Sequence, residues 1–328
     1  MASPNQPTLS AEQEAFLRGR SNAMGFYLVL HAWLVIALSM ALFVVWPNPL
    51  TFVVAIALVG GRQLGLAILM HDAAHRALFE NARLNDLVGA HFCGFPIGAS
   101  LSLYRPYHLS HHRHTQQPED PDLILSAPFP ITQASFKRKM WRDILGVTGY
   151  QRRLEQFKII MGEDPSLARR VLKLVAHERY FIASNAALLL ILSLAGLWWA
   201  YFVLWLLPLM TWYQVISRIR NIAEHAVVSD NNDRLRNTRT TLTNGLMRMV
   251  LAPYWVNYHL EHHLFVFTPC WKLPAAHQML IAQGFGPRME LAKGYWQVLL
   301  KATAKDPSNP GTLGTLDPSG SRRSASHI

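Results

Sequence analysis

Eight of the fifteen histidines in the 328-residue sequence fall into three closely spaced groups, and we add a ninth, His225, which lies about two helical turns past Ser217. Spacings of three and four residues place the members of each group on one face of a helix, with Cβ atoms about 5 to 6 Å apart. The nine are His71 and His75, then His108, His111 and His112, then His225, and finally His259, His262 and His263. Imidazole nitrogen binds Zn, Cu, Fe and Ni. Since a single zinc ion takes about four ligands, nine candidates are too many for one metal and suitable for two.

Three acidic residues lie among these histidines: Asp72, Glu224 and Glu261. Carboxylates near metal-binding histidines commonly accept a hydrogen bond from the second ring nitrogen and so hold the ring in place. We therefore predict that these three orient neighbouring histidine ligands. The alternative is that they are solvated charges on the helix surface.

The elements that carry the histidines are predicted to cross a membrane. The chain is 51% hydrophobic and only 16% charged, against about 25% charged residues in an average globular protein. Phe26 to Trp46 contains no charge, and a helix of that length spans roughly 30 Å, the thickness of the hydrocarbon layer. Leu50 to Met70 contains only Arg62, whose cost of about 3 kcal/mol is outweighed by eleven Leu, Ile, Val and Phe residues. We expect an all-α membrane protein with four spans in two hairpins, at about residues 26–46, 50–70, 181–195 and 197–217.

The distribution of basic residues predicts the orientation of these spans. The hairpin tips carry no Lys or Arg, whereas residues 71–180 carry 15. By the positive-inside rule, both termini and this large loop are expected in the cytoplasm. We divide the chain into a polar N-terminal tail (1–22), a membrane domain (23–303) and a disordered, Ser-, Gly- and Pro-rich tail (304–328). The basic residues form no dense patch, so we expect no binding of nucleic acid.

The three histidine motifs, in this order around two hydrophobic hairpins, resemble those of the membrane fatty acid desaturase superfamily. The resemblance extends to Asp120-Pro121-Asp122, to Glu224-His225 and to Leu273-Pro274-Ala275-Ala276-His277. It implies four transmembrane helices beneath a helical cytoplasmic cap, and two iron ions (Fe2+/Fe3+) that activate O2 as co-substrate. The implied iron ligands are His71, His75, His108, His111, His112, His225, His259, His262 and His263.

The resemblance implies an oxidoreductase that introduces a double bond into an aliphatic, most commonly fatty acyl, chain. Such chemistry suits a metal centre, because unactivated C–H bonds resist acid, base and nucleophile alike. The alternative within the superfamily is a hydroxylase or ketolase that acts on a carotenoid, alkane, sphingolipid or small amphipathic metabolite. A histidine-rich metal transporter is disfavoured, because its ligands would lie near the membrane midplane.

The sequence contains no motif for a fused electron carrier. Its two cysteines, Cys93 and Cys270, cannot bind an iron–sulfur cluster, and no haem-attachment or Gly-x-Gly-x-x-Gly motif is present. We therefore expect a separate electron donor, a ferredoxin, rubredoxin or cytochrome with its reductase. We place the protein in the inner membrane of a bacterial cell, with its active site in the cytoplasm.

Overall fold

The computed structural model describes residues 7–304, which are mostly helical with almost no strand, as expected. In chain order the α-helices are α1 (Ala11–Arg18), α2 (Asn22–Val45), α3 (Pro49–Ala74), α4 (Ala82–Val88), α5 (Leu101–His114), α6 (Leu123–Ser126), α7 (Gln133–Ile144), α8 (Val147–Met161), α9 (Leu167–Leu194), α10 (Trp198–Ala200), α11 (Leu207–Met210), α12 (Trp212–His225), α13 (Gly245–Val250), α14 (His259–Leu264), α15 (Leu273–Ala282) and α16 (Tyr295–Ala302). Wider π-helical turns span Gly89–Gly94 and Tyr201–Leu206, and tighter 3-10 turns span Phe95–Ile97, Pro253–Trp255, Cys270–Lys272 and Gly286–Arg288. Two short strands, β1 (Thr240–Thr241) and β2 (Leu291–Ala292), pair in parallel.

Four helical stretches within residues 7–304 are long and apolar enough to cross a membrane. They are Asn22–Val45, Pro49–Ala74, Leu167–Leu194 and Trp198–His225. The third begins at Leu167 rather than near residue 181, because the helix continues through a charged segment that hydropathy alone does not mark. The fourth joins α10, a π-helical turn, α11 and α12, and it ends at His225 rather than near residue 217.

The first two spans form a tight hairpin, and the residues between them explain why. The Asn48 side chain accepts hydrogen bonds from the backbone N–H groups of Leu50 (3.0 Å) and Thr51 (3.1 Å), and Pro49 occupies the first turn of α3. These features cap the N-terminus of α3 immediately after α2 ends. As a result α2 packs along α3 and supports the helix that carries His71 and His75.

Arg62, near the middle of α3, binds backbone carbonyls rather than an acidic side chain. Its Nη2 donates to the carbonyl oxygens of Met249 (2.7 Å) and Arg248 (3.1 Å), and its guanidinium carbon lies 5.2 Å from the centre of the Tyr254 ring. Those carbonyls lie at the C-terminal end of α13, where helix carbonyls lack intrahelical partners. Arg62 therefore ties α13 and the following turn to the second span.

The segment that we expect to be a polar N-terminal tail, residues 1–22, includes helix α1, and its residues 1–6 lie outside the described part of the chain. Ser10 and Gln13 form a reciprocal capping box at the start of α1. Leu17 is fully buried in a small cluster that includes Leu260 of α14. Helix α1 thus packs against the element that carries the third histidine motif. Of the tail expected at 304–328, residues 305–328 lie outside the described part of the chain.

Candidate metal centre

Four separate helices bring the histidines together. His71 lies in the last turn of α3 and His75 caps that helix, while the second motif occupies the last two turns of α5. His225 is the last residue of α12, and α14 begins at His259. Three of these helices thus present their histidines at their C-terminal ends, and short α14 closes the site.

The direction of α14 depends on an unusual turn that precedes it. Tyr254 and Trp255 have φ angles of 50° and 57°, a left-handed conformation that bulky side chains rarely adopt. Such a conformation persists only where surrounding contacts enforce it. The Tyr254 hydroxyl lies 3.1 Å from the carbonyl oxygen of Leu28 and 3.0 Å from Nδ1 of His31, which fixes the turn against α2.

Within the described residues, all nine histidines fall into two groups that could each hold a metal ion. In each group, one ring nitrogen from every histidine lies within 4.8 Å of the corresponding nitrogens of the other members. The first group is His71, His75, His108, His112 and His262, and the second is His111, His225, His259 and His263. The nine histidines singled out in the sequence are therefore neighbours in space.

The distances between ring nitrogens match those expected around a bound ion. In the first group, Nε2 of His112 lies 2.8 Å from Nε2 of His108 and 3.0 Å from Nε2 of His262. In the second group, Nε2 of His259 lies 2.8 Å from that of His225 and 3.0 Å from that of His263. Two nitrogens bound to one ion at about 2.1 Å and at right angles would lie roughly 3.0 Å apart.

Several of these nitrogens are buried without a hydrogen-bond partner among residues 7–304. They include Nε2 of His75 and Nε2 of His111. A buried polar nitrogen with no partner is costly, so its position calls for a ligand. Neutral imidazole donors of this kind suit iron, zinc, copper or nickel. The residues present therefore fit a pair of transition-metal ions.

Burial keeps four of the nine histidines, all outside the spans, neutral. Removal from water lowers the pKa well below 6.5, and neighbouring imidazoles lower it further. This holds for His75, His259, His262 and His263. A neutral ring keeps the lone pair that a metal ion requires. These side chains are thus ready to bind metal at neutral pH.

Two hydrogen bonds fix the orientation of rings in the second group. Nδ1 of His111 donates to a carboxylate oxygen of Asp120 at 2.7 Å, and Nδ1 of His263 lies 3.1 Å from the Thr115 hydroxyl. That hydroxyl donates to the carbonyl oxygen of His111 (2.9 Å), so it accepts from His263. With Nδ1 protonated in both rings, the lone pair is on Nε2, which faces the group.

Sequence reasoning did not assign these positioning roles to Asp120 and Thr115. In the sequence Asp120 belongs to the motif Asp120-Pro121-Asp122, and its position nine residues after His111 is no helical spacing. The signal that could have found it was its place directly after the second histidine motif. Thr115, four residues after His111, shares its helix face and could have been found by that spacing.

Two of the three acids expected to hold ligand rings lie near them but beyond hydrogen-bond distance. A carboxylate oxygen of Asp72 lies 3.6 Å from Nδ1 of His71, and one of Glu224 lies 3.6 Å from Nδ1 of His259. The other oxygen of Asp72 accepts a 2.8 Å hydrogen bond from the backbone N–H of Cys270. Asp72 therefore ties the 3-10 turn at Cys270–Lys272 to α3.

Glu261 differs from the expectation, because its partner is not one of the nine histidines. Its carboxylate accepts hydrogen bonds from Nδ1 of His277 (2.6 Å) and from the Thr240 hydroxyl. On α14, Glu261 is about 100° from His262 and about 200° from His259, so it points away from the group. His277 is buried and links α15 to α14.

A cavity of about 100 Å³ reaches the first histidine group from the side of the spans. It lies between α3, α5, α8 and α12, and His71 forms part of its wall. The ring of Tyr104, another lining residue, stacks on His108 with ring centres 4.9 Å apart. A molecule in this cavity would therefore lie beside the histidines.

Comparison with known proteins finds one family across most of the chain. Residues 45–288, which include all nine histidines, match the family described as Fatty acid desaturase. Dihydrorhizobitoxine desaturase of Bradyrhizobium elkanii is 29% identical, over 71% of this chain and 68% of that protein. The sn-1 oleoyl-lipid 12-desaturase of Synechocystis sp. is 25% identical, over 73% and 71%, respectively. The β-carotene ketolase of Paracoccus sp. (strain PC1) is 22% identical, over 76% and 86%.

Proposed function

Because the chain belongs to the fatty acid desaturase family, we propose that it is an O2-dependent di-iron desaturase that introduces a double bond into an aliphatic chain. Membership of the family makes it an oxidoreductase, and its apolar helices make it a multi-pass membrane protein. The metal, the reaction outcome and the substrate are parts of the proposal.

The observation that carries the proposal is the gathering of nine histidines into groups of five and four. We propose that each group binds one iron ion through its imidazole nitrogens. A pair of iron ions supplies the activation of O2 that removal of hydrogen from an unactivated methylene requires.

The protein side chains supply position and a dry environment. Asp120 and Thr115 hold the rings of His111 and His263, and burial keeps water from the nitrogens that face one another. The cavity beside His71 would place an aliphatic segment next to the first group. Product outcome depends on such placement, because an error of about 1 Å in the position of a reacting group strongly changes its rate.

We favour a fatty acyl substrate, supported by the relative that is named as an oleoyl-lipid desaturase. The second candidate is a ketolase or hydroxylase, supported by the β-carotene ketolase, of which the matched region spans 86%. Mass spectrometry of lipid and carotenoid extracts from a heterologous host separates these functions. A loss of two hydrogens marks desaturation, whereas an added oxygen marks hydroxylation or ketolation.

We also propose that electrons come from a separate ferredoxin, rubredoxin or cytochrome with its reductase. The orientation proposed above places the histidines on the cytoplasmic side, where such soluble carriers act. In a bacterium this membrane would be the inner membrane. The basic loop over residues 71–180 and the positive-inside rule support this orientation.

The test is substitution of one histidine from each group, His111→Ala and His262→Ala, with His177→Ala as the matched control. The His177 side chain is 39% exposed and belongs to neither group. We expect native protein to bind two iron ions per chain, the two variants to lose bound iron and activity, and the control to retain both. Full iron content and turnover in either variant would contradict the proposal.

A further inference from the structure

The cavity beside His71 has one apolar wall and one that carries three arginines. The cavity has a volume of about 100 Å³ and lies between the membrane helices and amphipathic α8. Arg152, Arg218 and Arg220 are all among the residues that line it. A site for a purely apolar substrate would not need these charges, because it costs free energy to bury a charged group in low-dielectric surroundings.

Two of the three arginines already face carboxylates. Arg218 donates from Nε (2.5 Å) and Nη2 (2.9 Å) to Asp143, whose side chain is fully buried. The Nε atom of Arg220 lies 3.5 Å from a carboxylate oxygen of Glu224. The charges of these two arginines are therefore balanced within the protein.

Arg152 differs from both. Its Nη1 donates to the neutral side-chain oxygen of Gln214 at 3.0 Å. No carboxylate of the described residues lies within 4.0 Å of its guanidinium nitrogens. A partly buried guanidinium with unused donors favours an anion, which it can bind through two parallel hydrogen bonds.

Tyrosine, serine and asparagine side chains also line the cavity, and one part of its lining suits an aliphatic chain. Leu64, Ile68, Phe129 and Ile222 contribute apolar surface, and His71 marks the end next to the first histidine group. A ligand that places a negative charge beside Arg152 would thus extend its apolar part along these side chains and past the histidines.

We propose that the substrate is an amphipathic anion, whose carboxylate or phosphate binds Arg152 and whose aliphatic chain extends along the cavity to His71. The inference rests on the proposed function and narrows its substrate class, because neutral carotenoids and alkanes lack the anionic group. The cavity has room for roughly seven to ten water molecules, so it encloses only a short segment of chain. An anchored head then fixes the oxidised carbon by its distance from the anionic end.

Binding can be measured without turnover. Native protein and Arg152→Gln, both freed of metal by a chelator and held in nanodiscs of phosphatidylcholine, are titrated with decanoate, decyl phosphate and methyl decanoate by calorimetry. We expect Arg152→Gln to weaken binding of the preferred anion by about 10- to 100-fold, as for loss of a charge-assisted hydrogen bond. Binding of methyl decanoate should be unchanged. Decanoate and decyl phosphate distinguish a carboxylate from a phosphate head.

The matched control is Arg138→Gln, which removes one exposed arginine from α7 and should bind all three ligands as the native protein does. Arg152→Lys keeps the charge without the planar fork, so it should restore part of the affinity if Arg152→Gln proves unstable. Two results would overturn the inference. One is equal affinity of the native protein for decanoate, decyl phosphate and methyl decanoate. The other is an equal loss of affinity for all three ligands in Arg152→Gln.

Turnover provides the second readout. With the preferred head group on chains of 10, 12 and 14 carbons, we expect oxidation at the same carbon counted from the anionic end. A position that instead follows the methyl end would overturn the inference. Arg152-dependent binding without any oxidation would uphold the anion site and contradict the proposed function.

Discussion

Replacement of Asp120 by Asn tests whether the second histidine group binds metal. The Asp120 carboxylate accepts hydrogen bonds from Nδ1 of His111 (2.7 Å) and from the backbone N–H groups of Gln116 and Asp122 (both 2.9 Å). Its side chain is 3% exposed and that of His111 is 1% exposed. Asparagine has the same shape but presents an NH2 group where one carboxylate oxygen now accepts.

The size of the effect follows from these contacts. The NH2 group faces Gln116 if it replaces Oδ2, and it faces both His111 and Asp122 if it replaces Oδ1. The turn after α5 therefore loses a bond, and in the second orientation the ring of His111 also loses its fixed tautomer. Loss of a partner of this kind lowers metal affinity by about 10- to 100-fold, or roughly 1.4 to 2.7 kcal/mol. We expect a loss in that range for one of the two bound ions, with the other ion retained.

The assay is competition for iron against a chelator of known affinity, followed by spectroscopy that resolves the two iron sites. Asp230→Asn is the matched control, because Asp230 also accepts backbone hydrogen bonds, from Asn232 (2.8 Å) and Asp233 (3.3 Å), but contacts no histidine of either group. Native affinity at both sites in Asp120→Asn would refute the positioning role. Equal losses in Asp230→Asn would show that the effect is not local.

Two further predictions concern stability. Asp143→Ala leaves Arg218 without its buried partner and should lower the free energy of unfolding, measured by denaturation in detergent, by about 3 to 5 kcal/mol. Glu14→Ala breaks the exposed pair with Arg18 and should cost no more than about 1 kcal/mol. Similar losses in the two variants would contradict the difference in burial. The metal-free protein should unfold at lower temperature as the pH falls below about 6.5, because the pKa of four buried histidines is lowered in the folded state and unfolding then takes up protons. The four histidines are His75, His259, His262 and His263. A melting temperature that does not change between about pH 8 and about pH 5 would contradict their lowered pKa values.

The apolar spans near the N-terminus could be predicted closely, because hydropathy and helix capping are local properties. The run from Phe26 to Trp46 corresponds to a helix at Asn22–Val45, and the Pro and Asn residues before α3 mark its start. Hydropathy does not mark the start of the third span, because the first turns of that helix carry charges and have the composition of a loop. Their helical state depends on packing against α8, a contact that hydropathy does not report.

The side chains that support the histidines could be identified only in part. Glu261 lies between two candidate ligands in the sequence, yet it binds His277, which follows sixteen residues later. Thr115 binds His263, at a separation of 148 residues. Such pairings depend on how α5, α14 and α15 pack against one another.

The sequence by itself indicated which neighbouring histidines share a helix face, because a spacing of three or four residues places them there whatever the surroundings. It did not determine which histidine joins which group. His111 and His112 are adjacent, and so are His262 and His263, yet the members of each pair belong to different groups. Each step along a helix turns the side chain by about 100°, so two neighbours point to different sides. Only the packing of four helices, distant in the chain, decided that His112 meets His262 and that His111 meets His263.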